Sequence, residues 1–148
     1  MVKKSLQGLE LLRGSMVYEE HVIMKILLSI KPQYAEKIFS REKRFEFRKT
    51  IFTRNVTTVI VYASSPCQRI IGEFDIEAIL KGQPSDIWEK TKEYAGIKKE
   101  DFFRYFDKKQ VAFALQIGNV RKYQESIDPY TKYKHFSPPQ SFCYVTES

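Results

Sequence analysis

The chain has 148 residues, 43% of them hydrophobic, which suits one compact domain and leaves too little for a second independent core. A formal net charge of +7 points toward a polyanion such as nucleic acid and away from a basic or neutral partner. The only two cysteines, Cys67 and Cys143, have neither C-x-x-C spacing nor a nearby histidine cluster, which excludes a tetrahedral metal site, and no apolar run is long enough to span a bilayer.

Residues 1–23 mix Lys3, Lys4, Gly8 and Arg13 with scattered leucines, so they lack the apolar core of a secretion signal and read as a flexible N-terminal extension. The patterned domain then occupies 24–148. Met24–Ile30 is rich in Ile and Leu and reads as a buried strand. Pro32 suits a first helical turn, and Tyr34, Ala35, Ile38 and Phe39 recur at helical spacing up to Ser40. The charged stretch from Ser40 to Arg48 reads as a short strand. Val56–Ala63 is β-branched, Ser64-Ser65-Pro66 breaks it, and Gln68–Leu80 resumes as a long antiparallel partner with Gly72 at a bulge or close contact. Pro84, Ser85 and Asp86 open a helix that Gly96 ends. A second short helix, Lys99–Asp107, carries Phe102, Phe103 and Phe106 on an apolar face. Gln110–Val120 alternates as a strand, with Ala112 and Ala114 on a side suited to close packing. After a loop at Asp128-Pro129, Pro138-Pro139 enforces extension before a last strand, Ser141–Val145. Irregularly placed helices among more numerous strands argue for an α+β domain built on a curved or closed antiparallel sheet.

The charge excess is local. From Lys31 to Arg54 eight basic residues face three acidic ones, whereas between Lys81 and Asp107 six face six, as on a solvated helical surface. Within the basic stretch, strand alternation sends Phe45 and Phe47 to a core and Arg44, Glu46 and Arg48 to the opposite face. The two cysteines read as small buried hydrophobes in a reducing compartment, which makes the expected location cytoplasmic.

The pattern Lys43-x-x-Glu46-x-Arg48, set after a strand and a short helix and joined by Ile70-Ile71-Gly72-Glu73-Phe74 after a Ser-Pro loop, resembles the ASCH domains, relatives of the PUA domain. Their signature is Gly-x-Lys-x-x-Glu-x-Arg, and the likeness runs from Met24 to about Val145. It implies a small PUA-like antiparallel β-barrel with flanking helices and an RNA-binding module working in translation or transcription. Arg41 stands in the place of the signature glycine, the residue that best tolerates the left-handed turn closing a helix, so either the turn differs or Arg41 is strained.

With that resemblance, Lys43, Arg44 and Arg48 become candidates for positioning phosphates of single-stranded or structured RNA, with Glu46 orienting them or accepting a base amino group. Ser64 and Ser65 are candidates to border the same cleft, and Tyr130 and Tyr133, flanked by Lys132 and Lys134, are candidates for base stacking. No cofactor or metal is called for, and RNA is the expected partner. The alternative is a small amidohydrolase acting on a modified nucleoside such as N4-acetylcytidine, a chemistry described for a branch of the family. It would use Lys43, Glu46 and a base such as Glu73, although Glu46 stands where that branch carries a hydroxyl residue.

Overall fold

In the computed structural model, residues 23–147 are described, so the expected extension at 1–23 lies, but for Ile23, outside the described residues. Strand β1 (Ile23–Ile30) leads through Lys31 into helix α1 (Pro32–Phe39), where proline at the first helical position forfeits only an N–H that has no intrahelical partner. A turn over 40–44 delivers β2 (Phe45–Arg48), followed by a loop and β3 (Thr58–Ala63). The hairpin partner β4 (Arg69–Gly82) runs into α2 (Pro84–Thr91), a 3-10 turn at Lys92–Tyr94 and α3 (Lys99–Tyr105). Strand β5 (Ala112–Ile127) continues seven residues past the expected Val120, and the expected loop at Asp128-Pro129 is instead a single helical turn, α4 (Pro129–Lys132), capped by the Asp128 carboxylate. Strand β6 (Phe142–Glu147) closes the described chain.

The six strands form one sheet in the order β2-β5-β4-β3-β1-β6. Every neighbouring pair is antiparallel except β1 and β3, which run parallel because α1 and β2 intervene and carry the chain back to the starting end. The expected barrel is not closed by a ladder: among the described residues β2 and β6 are edge strands, each paired on one side only. Register shifts at three points of the β4–β5 ladder add twist and curl. Side chains then bridge the two edges. The Arg48 guanidinium donates to the Ser141 carbonyl at 3.1 Å and its hydroxyl at 3.3 Å, and the Phe52 and Phe142 rings meet edge-on at 6.0 Å. The Tyr144 hydroxyl accepts the N–H groups of Thr53 and Arg54, so the loop after β2 is held against β6.

Alternation sorts the sheet's two faces. Ile26, Leu28 and Ile30 of β1 and Val59, Val61 and Ala63 of β3 meet Ala35 and Ile38 of α1 in the main core. Leu27, Ile60, Tyr62 and Ile70 pack on the reverse face beneath Tyr133 and Phe136. A third core joins Phe47 of β2 to Ile87, Trp88, Phe102 and Phe106 of the helices, and Ala112 and Ala114 are the small residues that let those helices approach. Gly72 is a point of contact as expected, since a Cβ there would lie 2.6 Å from both the Arg121 carbonyl and the Phe39 ring. Cys67 and Cys143, expected as buried hydrophobes, are both free and exposed, one in the β3–β4 turn and the other on edge strand β6.

Candidate functional site

The turn between α1 and β2 sets up the charged segment. Arg41 adopts φ 72°, the left-handed conformation that the signature glycine supplies elsewhere, at a cost of about 1–2 kcal/mol for a residue with a Cβ. Its Nη1 donates to the Gly118 carbonyl at 2.7 Å, a side-chain contact glycine could not make and one that offsets the strain, and its backbone carbonyl accepts Arg44 Nε at 3.2 Å. The Arg44 N–H then bonds the Tyr94 carbonyl at 2.8 Å, and its guanidinium lies 4.0 Å from the centre of the Tyr94 ring.

Lys43 points inward. It is 2% exposed, its Nζ donates to the Ala95 carbonyl at 2.9 Å, and the ammonium sits 4.7 Å from the Phe47 ring centre and 5.4 Å from that of Tyr34. Burial lowers its pKa to about 8, opposed by the negative charge of Glu46 and reinforced by Lys37. Gly96, at φ 67°, makes room for this side chain: a Cβ there would fall 2.4 Å from Lys43 Cβ.

Strand β2 divides its side chains as alternation requires. Phe45 and Phe47 face the helical core, and Glu46 and Arg48 turn to the other face, while Arg44 precedes the strand and stacks on Tyr94. Arg48 Nη1 donates to Glu46 Oε2 at 3.2 Å, and both side chains are largely buried, at 12% and 9% exposed. Around this pair stand two tyrosines. Burial raises the Tyr34 phenol, helped by the charges of Asp101 and Glu46. Burial also raises Tyr105, where Arg48 opposes the shift and Glu46 adds to it.

Glu46 and Arg48 are thus paired on one face of β2, Lys43 lies on the Phe47 side close enough to feel the Glu46 charge, and Arg44 and exposed Lys49, whose Nζ lies 4.6 Å from the Tyr105 ring, flank them in the chain. The Ser64–Ser65 turn lies at the same end of the sheet as Ser141, for the Ser64 N–H bonds the Ile30 carbonyl and Phe142 pairs with Leu28. Tyr130 and Tyr133 lie elsewhere. Both pack on Phe136 against the face that carries Tyr62, so Tyr133 is largely structural, and Tyr130 is 50% exposed. Glu73 is separate as well. It pairs across β4 with Arg121 at 2.7 Å, accepts the Tyr123 hydroxyl at 2.7 Å and meets Lys25 at 3.5 Å. Burial would raise its carboxyl, but Tyr123, Arg121 and Lys25 together hold it below the usual range, so the Lys43–Glu73 pairing that the amidohydrolase chemistry would need is not formed.

Sequence reading missed Ser141, Tyr105 and the Ala95 carbonyl as partners of the cluster, and took Tyr34 only for a helical apolar position. Ser141 meets Arg48 across 93 residues of chain, and no local pattern announces such a contact. Among the described residues no group of three or more His, Cys, Asp or Glu side chains could hold a metal ion, and no helix is long and apolar enough to cross a membrane.

A domain of unknown function, DUF365, matches residues 23–135. The chain is 33% identical over 128 residues to the large ribosomal subunit protein uL22 of Ureaplasma parvum, covering 86% of this chain and only 41% of that protein. It is 26% identical over 122 residues to an ASCH domain-containing ribonuclease of Zymomonas mobilis, covering 80% of this chain and 82% of the relative. The crystal structure of ASCH from Zymomonas mobilis superposes with a TM-score of 0.77 at 25% identity, covering 82% of this chain and 87% of that one. Its β-rich core with flanking helices, and the lysine, glutamate and arginine at the signature positions, agree with that likeness: the chain belongs to the DUF365 family and is an ASCH domain of PUA-like fold.

Proposed function

We propose that this domain binds single-stranded RNA beside the Glu46–Arg48 pair, where the two sheet edges come together. The observation that carries this reading is the buried carboxylate–guanidinium pair joined to Ser141, rimmed by Arg44 and Lys49. A guanidinium fixed by a carboxylate on one side and a carbonyl on the other is oriented in advance, so little side-chain entropy is lost when a phosphate or base edge arrives. Lys43, with its ammonium on the Ala95 carbonyl, positions the turn that presents Arg44 and does not itself reach for phosphate. Glu46 excludes misplaced phosphates and selects a base amino group. The likeness of this domain to part of a ribosomal protein supports a setting in translation.

Titration of labelled single-stranded RNA at several salt concentrations tests the reading. Arg44→Ala and Lys49→Ala, both outside the cores, should each weaken binding and reduce the salt slope by about one. Unchanged affinity and slope in both variants would overturn it.

A second reading, cleavage of RNA by the same cluster, is favoured by the lowered pKa of Lys43 beside a buried carboxylate and by the ribonuclease among the relatives. Attack of a 2′-hydroxyl on the adjacent phosphorus breaks the bond to the 5′-oxygen, and it needs one group to take the 2′ proton and another to give a proton to the leaving 5′-oxygen. Glu46 is suited to the first role and the Tyr34 hydroxyl to the second. Incubation of labelled RNA with the protein should yield 2′,3′-cyclic phosphate ends, and equal cleavage of a strand lacking 2′-hydroxyls would contradict it.

A further inference from the structure

Beside the charged pair the same sheet face carries an unexplained aromatic. In the adjacent strands β2, β5 and β4, Arg48 stands opposite Phe113 and Phe113 opposite Lys81, so three side chains line up across one face with the ring in the middle. The next row repeats the geometry with Glu46, Leu115 and Ile79. The Lys81 ammonium lies 6.0 Å from the Phe113 ring centre. Phe113 packs into none of the three cores formed by the described residues, and its apolar neighbours Ile79 and Val111 are 42% and 40% exposed.

A phenylalanine that contributes to no core gains little from hydration, and an ordinary solvated strand would carry a polar residue there. The two flanking cations decide which occupant fits. An apolar peptide side chain would gain nothing from a guanidinium on one side and an ammonium on the other, and an acidic one would leave the ring unused, whereas a nucleotide offers a flat ring for the phenyl and phosphates at either side for the charges. We infer that Phe113 is a stacking step for one unpaired base of RNA, with Arg48 and Lys81 holding the phosphates on either side of it. This rests on the RNA reading above and extends it from the Glu46–Arg48 pair to a second nucleotide subsite across β5 and β4. The step is sequence-tolerant, because every base has a face to stack.

The test is an abasic scan. A short labelled single-stranded RNA, and a series in which one nucleotide at a time lacks its base, are titrated against the wild type, Phe113→Leu and Phe113→Trp. In the wild type one position should cost about five- to hundredfold in affinity when its base is removed. That penalty should vanish in Phe113→Leu, which keeps the apolar volume, and persist in Phe113→Trp, whose new indole fluorescence should be quenched by the intact strand. An abasic penalty that is the same in Phe113→Leu as in the wild type would overturn the stacking step and leave the RNA reading standing. Wild-type protein that binds none of the strands would overturn both. Phe113→Leu that dissociates a protein oligomer while leaving the scan unchanged would assign the ring to a protein contact and overturn the step.

Discussion

Glu46 and Glu73 are both strand carboxylates, each meets an arginine, and each lies within a few residues of a motif that marks the family, yet they do different work. Glu46 is buried, its charge acts on buried Lys43, and its Arg48 partner reaches across to the other edge of the sheet. Glu73 answers an arginine on the neighbouring strand, and Arg121 in turn also bonds Asp75 at the surface, with 44% of the Arg121 side chain exposed. The Glu73 network is a ladder of cross-strand pairs that any antiparallel sheet accommodates. The Glu46 cluster ties three distant pieces of chain together and leaves basic side chains at its rim. The lesson is that charge pairing by itself does not mark a site, whereas burial together with contacts between distant segments does.

Removing one partner from each cluster separates the two most strongly. Arg48→Ala leaves a buried carboxylate uncompensated and undoes the tie to Ser141, and should cost about 3–4 kcal/mol in urea denaturation. Lys43 makes the first region pH-dependent. Its pKa falls from 10.5 in a free chain to about 8 here, so the unfolded chain binds more protons between these values. Stability from this group is therefore complete above pH 10.5, falls as pH drops toward 8 and stays low below that. The stability difference between wild type and Lys43→Met should grow in favour of the wild type by about 3 kcal/mol between pH 8 and 10.5. Gly96→Ala places a Cβ against Lys43 at a positive φ and should cost about 2 kcal/mol or more in the same denaturation assay. Gly118→Ala, whose Cβ would lie 3.4 Å from the Asp75 carbonyl near the second cluster, should cost less than about 1 kcal/mol. Arg121→Ala, at the surface, should cost about 1 kcal/mol or less and leave RNA affinity unchanged. A larger loss for Arg121→Ala than for Arg48→Ala would reverse the comparison.

Much of this was legible along the chain because it is local. The alternation of Phe45, Glu46, Phe47 and Arg48 gives the right face to each residue, and the Ala112 and Ala114 pair marks the closely packed side. Arg41 in the place of a glycine left open either a different turn or a strained residue, and the backbone takes the left-handed conformation. What could not be read is long-range. The parallel pairing of β1 with β3 depends on where an intervening helix and strand return the chain, and whether edge strands β2 and β6 meet in a ladder depends on the curl of the whole sheet. Tyr130 and Tyr133 look alike in sequence, but only the fold decides that Tyr133 packs with Tyr62 in a core and Tyr130 stays at the surface. Residue type announced the cysteines as buried, and their positions in a turn and on an edge strand exposed them.

The most direct test of the central claim observes the arginine Nε–H signals by nuclear magnetic resonance while single-stranded RNA is added. Arg48 and Arg44 should shift progressively with RNA, and Arg121, held by Glu73 and Asp75, should stay in place. Movement of the Arg121 signal with Arg48 and Arg44 unmoved would contradict the account.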